Sequence, residues 1–293
     1  MKPLYMWAGG KNKMISKYKN GPGIPLSGYD TYVEPFFGGG AMMIYIYMNN
    51  PEVKRLVLND VNKDIVGIYD AIKTDCKSFT DRVDTLSNAY LRLSKEDRKK
   101  FYYDLRKEYT TDWQKWNPVD ESGTLYFLMK TGFNGIWQTT KESKGRFATP
   151  CGLLNQTDSV YDKDNVMLWE KLLQKIEIMS YDWKDCVESV FGTSKTFYFL
   201  DPPYRDCFTT YAQTFDDKHQ IECIDFCKKA ESNGDIVMLC NRDSADTFFT
   251  SRQGNLSIEY YPVTYTAGLR KKEEDGSYSA KKATEILLYG GEF

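Results

Sequence analysis

Apolar positions along this chain follow two alternating periods. Thr31–Phe37 (TYVEPFF), Val53–Leu58 (VKRLVL), Lys195–Asp201 (KTFYFLD) and Asp235–Cys240 (DIVMLC) are short and rich in β-branched and aromatic residues. Each is followed by Gly, Asn or Pro. Such runs predict strands buried on both faces, as in a parallel sheet. Between and after them, Ala41–Met48, Lys63–Ile72, Ile221–Ala230 and Ser244–Thr250 read as helices. The alternation predicts an α/β protein, an open Rossmann-like sheet with helices on both faces. A ligand crevice then belongs at the carboxyl ends of the strands.

The stretch from about 75 to 165 breaks the alternation. It is charge-rich and helical over Lys95–Tyr109 (KEDRKKFYYDLRKEY), then turns into a Gly/Thr/Lys-rich loop over Thr131–Gly152. It reads as a smaller, mainly helical insertion at 73–165, which splits the sheet domain into 1–72 and 166–293. Near the C-terminus, Ser257–Tyr265 and Ala283–Tyr289 predict a hairpin around a charged turn, Arg270–Lys282.

Composition narrows the class. With 39 Lys+Arg against 41 Asp+Glu the net charge is −2, and 41% of the 293 residues are hydrophobic, as in an ordinary globular chain. Near-neutral charge argues against indiscriminate coating of nucleic acid and leaves room for a local basic cleft. No run approaches the roughly 20 apolar residues of a membrane helix, and the N-terminus lacks a secretory pattern, so a cytoplasmic location and no membrane partner are expected. The seven Cys are scattered, which fits reduced thiols. With one His, a Ser-His-Asp triad and a His-rich metal site are improbable. His219, Cys223 and Cys227 share one face of a helix but lack a fourth ligand, so no metal is expected.

The sharpest chemical signal is Asp201-Pro202-Pro203-Tyr204 after a hydrophobic strand. Its bland reading is a Pro-terminated strand with a decorated turn. Its chemical reading is methyl transfer to an exocyclic amine of a planar heterocycle. Such a nitrogen is a poor nucleophile, because its lone pair is conjugated into the ring. Hydrogen bonds to the Asp201 carboxylate and to the Pro202 carbonyl favour a nitrogen whose lone pair faces the methyl donor, and the prolines hold that carbonyl rigid. Tyr204 can stack on the base. A base in a duplex must be extruded to reach such a pocket, at a cost of a few kcal/mol.

Glu34-Pro-Phe36-Phe-Gly38-Gly39-Gly40 is a second signal, since a Gly-rich strand-to-helix turn lets backbone approach a ligand. Alone it suits any nucleotide cofactor or tight packing. Asp60, at the end of the next strand, stands where a ribose-binding carboxylate sits in nucleotide-binding sheets. Trp7-Ala-Gly-Gly-Lys11 is either a flexible start with a core Trp or a turn serving cofactor or DNA.

Together these motifs resemble the Dam-type site-specific DNA adenine-N6 methyltransferases, nearly end to end. WAGGK, VEPFFGGG, LNDVN, the Gly132–Gly135 to Thr149–Gly152 stretch, DPPY and the CNRD of 240–243 follow the family's order. The resemblance implies S-adenosylmethionine as methyl donor, held by Trp7, Lys11, Glu34, Phe36, Gly38, Gly40 and Asp60, with Asp182 at the position that holds the cofactor's adenine amine. It implies Asp201, Pro202 and Tyr204 as the catalytic corner, with Phe215 near the flipped base. It also makes 131–152 the DNA-reading loop, carrying Lys130, Asn134, Trp137, Gln138, Lys141, Lys144 and Arg146.

In the GATC-methylating members an Arg stands where Gln138 stands here, and the loop is about two residues shorter. Arg suits guanine and Gln suits adenine, so a GATC target is in question. Lys271, in a basic run with Arg270 and Lys272, is either a phosphate contact or a solvated tip. Double-stranded DNA is the expected partner, met by a monomer or by a dimer on DNA. The competing readings are methylation of cytosine N4 or RNA adenine, a catalytically silent DNA-binding scaffold and, least supported, a dehydrogenase.

Overall fold

The computed structural model of the chain describes residues 1–7, 9–135, 137–205, 215–265, 271–272, 278–279 and 281–292. All four predicted strands form, as β1 (Thr31–Glu34), β2 (Arg55–Asn59), β4 (Thr196–Leu200) and β5 (Ile236–Arg242). A short strand that periodicity does not announce, β3 (Ile176–Met179), joins them, and β6 (Ser257–Tyr265) and β9 (Lys281–Gly290) form the predicted hairpin. Within its charged tip, β7 (Lys271–Lys272) pairs with β8 (Tyr278–Ser279). The main sheet runs β3-β2-β1-β4-β5-β9-β6. Its first five strands are parallel, and β9 and β6 are antiparallel. Pro262 lies on β6, the outer strand, where its missing N–H costs no ladder bond on the open side.

The period of two within each strand divides the apolar residues between the two faces. Tyr32, Leu56, Phe197 and Met238 join one cluster, while Val33, Val57, Tyr198 and Leu239 join the other. The helices are α1 (Asn12–Asn20), α2 (Ala41–Asn49), α3 (Lys63–Leu91), α4 (Lys95–Thr111), α5 (Pro118–Thr131), α6 (Lys163–Leu173), α7 (Trp183–Val190) and α8 (Asp217–Ser232). The first cluster is covered by α1 to α6, the second by α7 and α8. Cys223 and Cys227 point into that second cluster, and His219 closes a capping box with Asp216.

Two helix boundaries show local chemistry overriding the apolar pattern. The helix predicted to end at Ile72 continues as α3 to Leu91, but Asp75 breaks it with φ −150° and ψ 71°. Ser78 N–H donates to Asp75 Oδ1 at 3.0 Å, so Asp75 works as an internal N-cap. Ser244–Thr250, expected as a helix, is a series of turns. Ala245 has φ 57°, which an α-helix cannot hold, and Asp243 and Asp246 side chains accept the N–H groups of Ala245 and Phe248.

The inserted helices share their core with the sheet: Tyr90, Tyr102, Tyr109 and Phe127 belong to the same cluster as Tyr32. The loop after α5 is pinched at its base, where Gly132 bridges Cys151 and Gly152 N–H donates to Thr131 O at 2.8 Å. Arg106 holds the carbonyls of Ala148 and Thr149 at 2.7 and 2.8 Å.

Arg146 is the loop's main anchor. Its guanidinium pairs with Glu121, lies 3.9 Å from Asp64, and covers the rings of Tyr109 and Trp113 at 4.2 and 4.7 Å. Replacing Arg146 by Ala leaves two poorly solvated carboxylates without their counter-charge. We expect R146A to lose on the order of 2 kcal/mol of stability in chemical denaturation, and R146K to recover only part, since an ammonium cannot stack and pair as a planar fork.

Candidate active site

The sheet reverses direction of growth at β1, which has β2 on one side and β4 on the other. That switch point opens a crevice at the carboxyl ends of the strands. Three carboxyl groups meet there: Glu34 ends β1, Asp60 follows β2 and Asp201 follows β4. The fourth charge comes from the N-terminus of the chain. Lys11 begins α1, its carbonyl accepting from Met14 and Ile15 N–H at 2.8 and 3.0 Å, and only 4% of the residue is exposed.

Lys11 Nζ donates to Asp201 Oδ2 at 2.6 Å and to Gly9 O at 2.8 Å, and lies 5.0 Å above the Tyr204 ring. The Asp201 side chain keeps 22% of its surface open, so one edge still faces the crevice. Burial raises the Asp201 pKa, against the opposing pull of Lys11. For Lys11, burial works to lower the pKa, and the anionic surroundings, Asp201 first, outweigh it and raise it. The two side chains thus form a close ion pair in a largely desolvated corner. Glu34 is different. Buried and hydrogen-bonded by Tyr32 OH at 2.6 Å, it is pushed up to about 8, mainly by burial.

The Gly-rich turn is built by these neighbours. Gly38 N–H donates to Asp60 Oδ2 at 3.0 Å, Asn62 N–H donates to Asp60 Oδ1 at 2.9 Å, and Tyr5 OH donates to Gly38 O at 3.0 Å. Gly38 has φ 50°, and a Cβ there would sit 2.6 Å from the Trp7 indole nitrogen. Gly40, the N-cap of α2, has φ 65° and lies against the Phe37 ring. Both positions thus require glycine. Phe36 stands between Trp183, at 5.8 Å, and Phe215, at 5.7 Å. Asp182 caps α7 beside Trp183, accepting Lys184 N–H at 3.0 Å. The predicted cofactor residues therefore converge on one crevice. Among them, Lys11 is the one whose side chain pairs with Asp201.

Three residues at this corner come from elsewhere in the chain. Tyr204 OH donates to Glu285 Oε2 on β9 at 3.0 Å, Arg205 N–H donates to Asn241 Oδ1 at 2.9 Å, and Gln220 Nε2 donates to Pro203 O at 2.8 Å. Asn241 was legible as part of CNRD; Gln220 and Glu285 carried no signal in the sequence.

The predicted DNA-reading residues separate into two groups. Asn134 and Lys141 are exposed, Asn134 at φ 51°. Gln138 is half-buried, its N–H on Thr149 Oγ1 at 3.2 Å and its carbonyl on Ala148 N–H at 2.7 Å. Trp137 and Arg146 are structural. Trp137 is 6% exposed and packs on Phe147 and Trp7 at 5.4 and 6.4 Å, and the Arg146 charge is already matched by Glu121 and Asp64. Both were expected at DNA, and in this structure both are engaged within the protein. Lys271 lies on β7, whose backbone alone is described; Arg270 and Cys207 fall outside the described residues.

An open sheet with an acidic crevice at its switch point and a D-P-P-Y corner defines a Rossmann-like methyltransferase. The sequence model of the D12 class N6 adenine-specific DNA methyltransferases matches residues 7–261, and the chain belongs to that family. It is 30% identical over 256 residues to the type II methyltransferase M.MjaIII of Methanocaldococcus jannaschii, covering 85% of this chain and 86% of that protein. It is 28% identical to the type II methyltransferase M.CviBI of Paramecium bursaria Chlorella virus NC1A, covering 79% and 80%. It is 24% identical to the DNA adenine methylase of Vibrio cholerae, covering 86% and 85%. Family membership makes the chain an adenine-specific DNA methyltransferase with DNA as its substrate. No helix among the described residues is long and apolar enough to cross a membrane.

The Glu34 shift fixes a pH dependence. Its folded pKa, about 8, lies above its ordinary value of 4.5, so the folded state binds a proton that the unfolded state has lost between those limits. Its contribution to stability is complete below the ordinary value and falls as pH rises towards 8. We expect the stability difference between wild type and Glu34→Gln to move against wild type by at most about 1.4 kcal/mol per pH unit across that window, measured by urea denaturation. A flat difference would refute a neutral Glu34.

Proposed function

We propose that this chain binds S-adenosylmethionine in the β1/β4 crevice and methylates N6 of an adenine extruded from duplex DNA. The observation that carries this reading is Asp201, paired with Lys11 at 2.6 Å beside the Tyr204 ring at the switch point of the sheet. The donor set fits a sulfonium nucleoside. Three carboxyl groups, Glu34, Asp60 and Asp201, stand against the one ammonium of Lys11 at this corner. Phe36 and Trp183 offer a ring-lined wall beside Asp182, and Trp7 packs on the Gly38–Gly39 backbone at the same turn.

When bound, this cofactor supplies a methyl group already activated by a positive sulfur. The chain's own residues do the rest. Asp201 accepts one hydrogen bond from the adenine amine on its open edge, and the Pro202 carbonyl accepts the other, so the nitrogen lone pair is turned out of conjugation. Tyr204 stacks on the ring. Asp201 acts as an acceptor and not as a strong base, because an aromatic amine is far less acidic than a carboxyl group. The amine proton leaves once nitrogen has gained the methyl group and become cationic.

Residues 73–165 form the target-recognition domain on this reading, and 1–72 with 166–293 the catalytic one. Asn134, Gln138, Lys141 and Lys271 are its proposed DNA contacts, and the chain acts in the cytoplasm as a monomer or as a dimer on DNA.

Asp201→Ala should lower methyl transfer to duplex DNA by at least about 1000-fold while S-adenosylmethionine affinity stays within a few-fold, by calorimetric titration. Removing a donor or acceptor aimed at the reacting atoms costs this order of rate. Full activity in that variant removes Asp201 from the site. Mass analysis of the nucleosides should find N6-methyladenine in DNA; label confined to RNA or to cytosine overturns the choice of substrate.

A further inference from the structure

Gln220 and Asn241 are among the most deeply buried polar side chains of the chain, at 1% and 0% exposure. Neither faces the crevice. Gln220 lies in the first turn of α8, and Asn241 near the end of β5. Gln220 Nε2 donates to Pro203 O at 2.8 Å, and its Oε1 accepts from Asn241 Nδ2 at 2.8 Å. Asn241 Oδ1 accepts from Arg205 N–H and Arg242 N–H, both at 2.9 Å. The Pro203 carbonyl and the Arg205 amide flank Tyr204. The two side chains therefore close a ring of hydrogen bonds across the back of that one residue.

The polarity of this ring is fixed at its ends. A main-chain N–H can only donate and a main-chain carbonyl can only accept, so each linking side chain must accept on one side and donate on the other. A side-chain amide does both; a carboxylate or an alkyl chain does not. Tyr204 is further held by its hydroxyl on Glu285 at 3.0 Å, and Arg205 by its pair with Asp217 at 2.7 Å. Burial makes an unmade bond in such a network expensive.

We propose that Gln220 and Asn241 are positioning residues for the target base: they fix the backbone on both sides of Tyr204, so that its ring plane and the neighbouring Pro202 carbonyl are set before the base arrives. This deepens the function proposed above and rests on it. Pre-set geometry matters because a shift of about 1 Å at a reacting group can cost 100-fold in rate.

The test compares wild type, Gln220→Met, Gln220→Glu and Asn241→Asp as full-length chains. Methionine matches the length of glutamine and removes both bonds. We expect Q220M to lower the single-turnover methylation rate at least 10-fold with the S-adenosylmethionine dissociation constant within twofold of wild type. Duplex DNA carrying 2-aminopurine at the target position should show an altered bound-state fluorescence, reporting a displaced stacking partner. In Q220E a protonated acid can donate to Pro203 O as the amide does, so its rate relative to wild type should rise as pH falls from 8.5 to 6.5. A Q220M rate within twofold of wild type overturns the proposal. So does a loss of rate matched by an equal loss of donor affinity, which marks a general structural role. If Q220M does not fold, N241D is read on the same measures, and failure of both to fold also overturns it. A wild-type chain inactive on adenine in duplex DNA removes the underlying reading, whereas active wild type with unaffected variants removes the relay alone.

Discussion

A carboxylate drawn into the end of a parallel sheet must be discharged or paired, and the arrangement of this crevice follows from how that requirement is met at Asp201. Lys11 meets it from the first turn of α1, almost without exposure of its own. The N-terminal segment is thereby drawn across the crevice. Trp7 comes to rest on Gly38 and Gly39, where a Cβ would meet its indole, and the hairpin at Gly135 settles against Met6. One ion pair thus links the start of the chain, the strand end that holds the reactive corner and the glycine turn.

Two acids on adjacent strands meet different surroundings. Glu34 has no close cation of its own, only the Tyr32 hydroxyl, a main-chain N–H and deep burial, and is pushed up to about 8. Asp201 has an ammonium at 2.6 Å and an edge in the crevice. Environments that separate neighbouring titratable groups in this way assign them different roles. Asp201 keeps its exposed edge for hydrogen bonds, while the Glu34 carboxyl is buried and engaged by Tyr32.

The parts of the fold that could be read from the sequence are those set by short-range pattern. Doubly buried strands such as β4 show as continuous apolar runs, and the glycines and acids at their ends keep fixed offsets from them. What could not be read depends on contacts made at a distance. β3 is a four-residue strand hidden between two helices, and α1 is a helix of low apolar content fixed by Met14 and Tyr18. Ser244–Thr250 has helical spacing, but two Asp side chains capture its N–H groups first. The same limit applies at the site. DPPY and the glycine turn are contiguous and legible, whereas the amides behind Tyr204 stand 21 residues apart and meet only after α8 docks on β5.

The loop after α5 shows how one residue type can serve either packing or contact with a partner. A Trp and an Arg in a loop rich in Gly and Lys suggest stacking and phosphate contact, yet Trp137 and Arg146 are what make the loop rigid. Arg146 covers Tyr109 and Trp113, and Trp137 joins Phe147 to Trp7. With those two inside, the function proposed here leaves base reading to shorter side chains on a fixed frame. Asn134 is placed by a left-handed turn, and Gln138 has both main-chain groups engaged, so its backbone position is fixed. An amide there matches the paired acceptor and donor of adenine's major-groove edge, where a guanidinium would match the two acceptors of guanine. On the proposed function, target preference in this chain therefore turns on one amide held by a pinched loop, and its recognition sequence should part from that of relatives with Arg at this place.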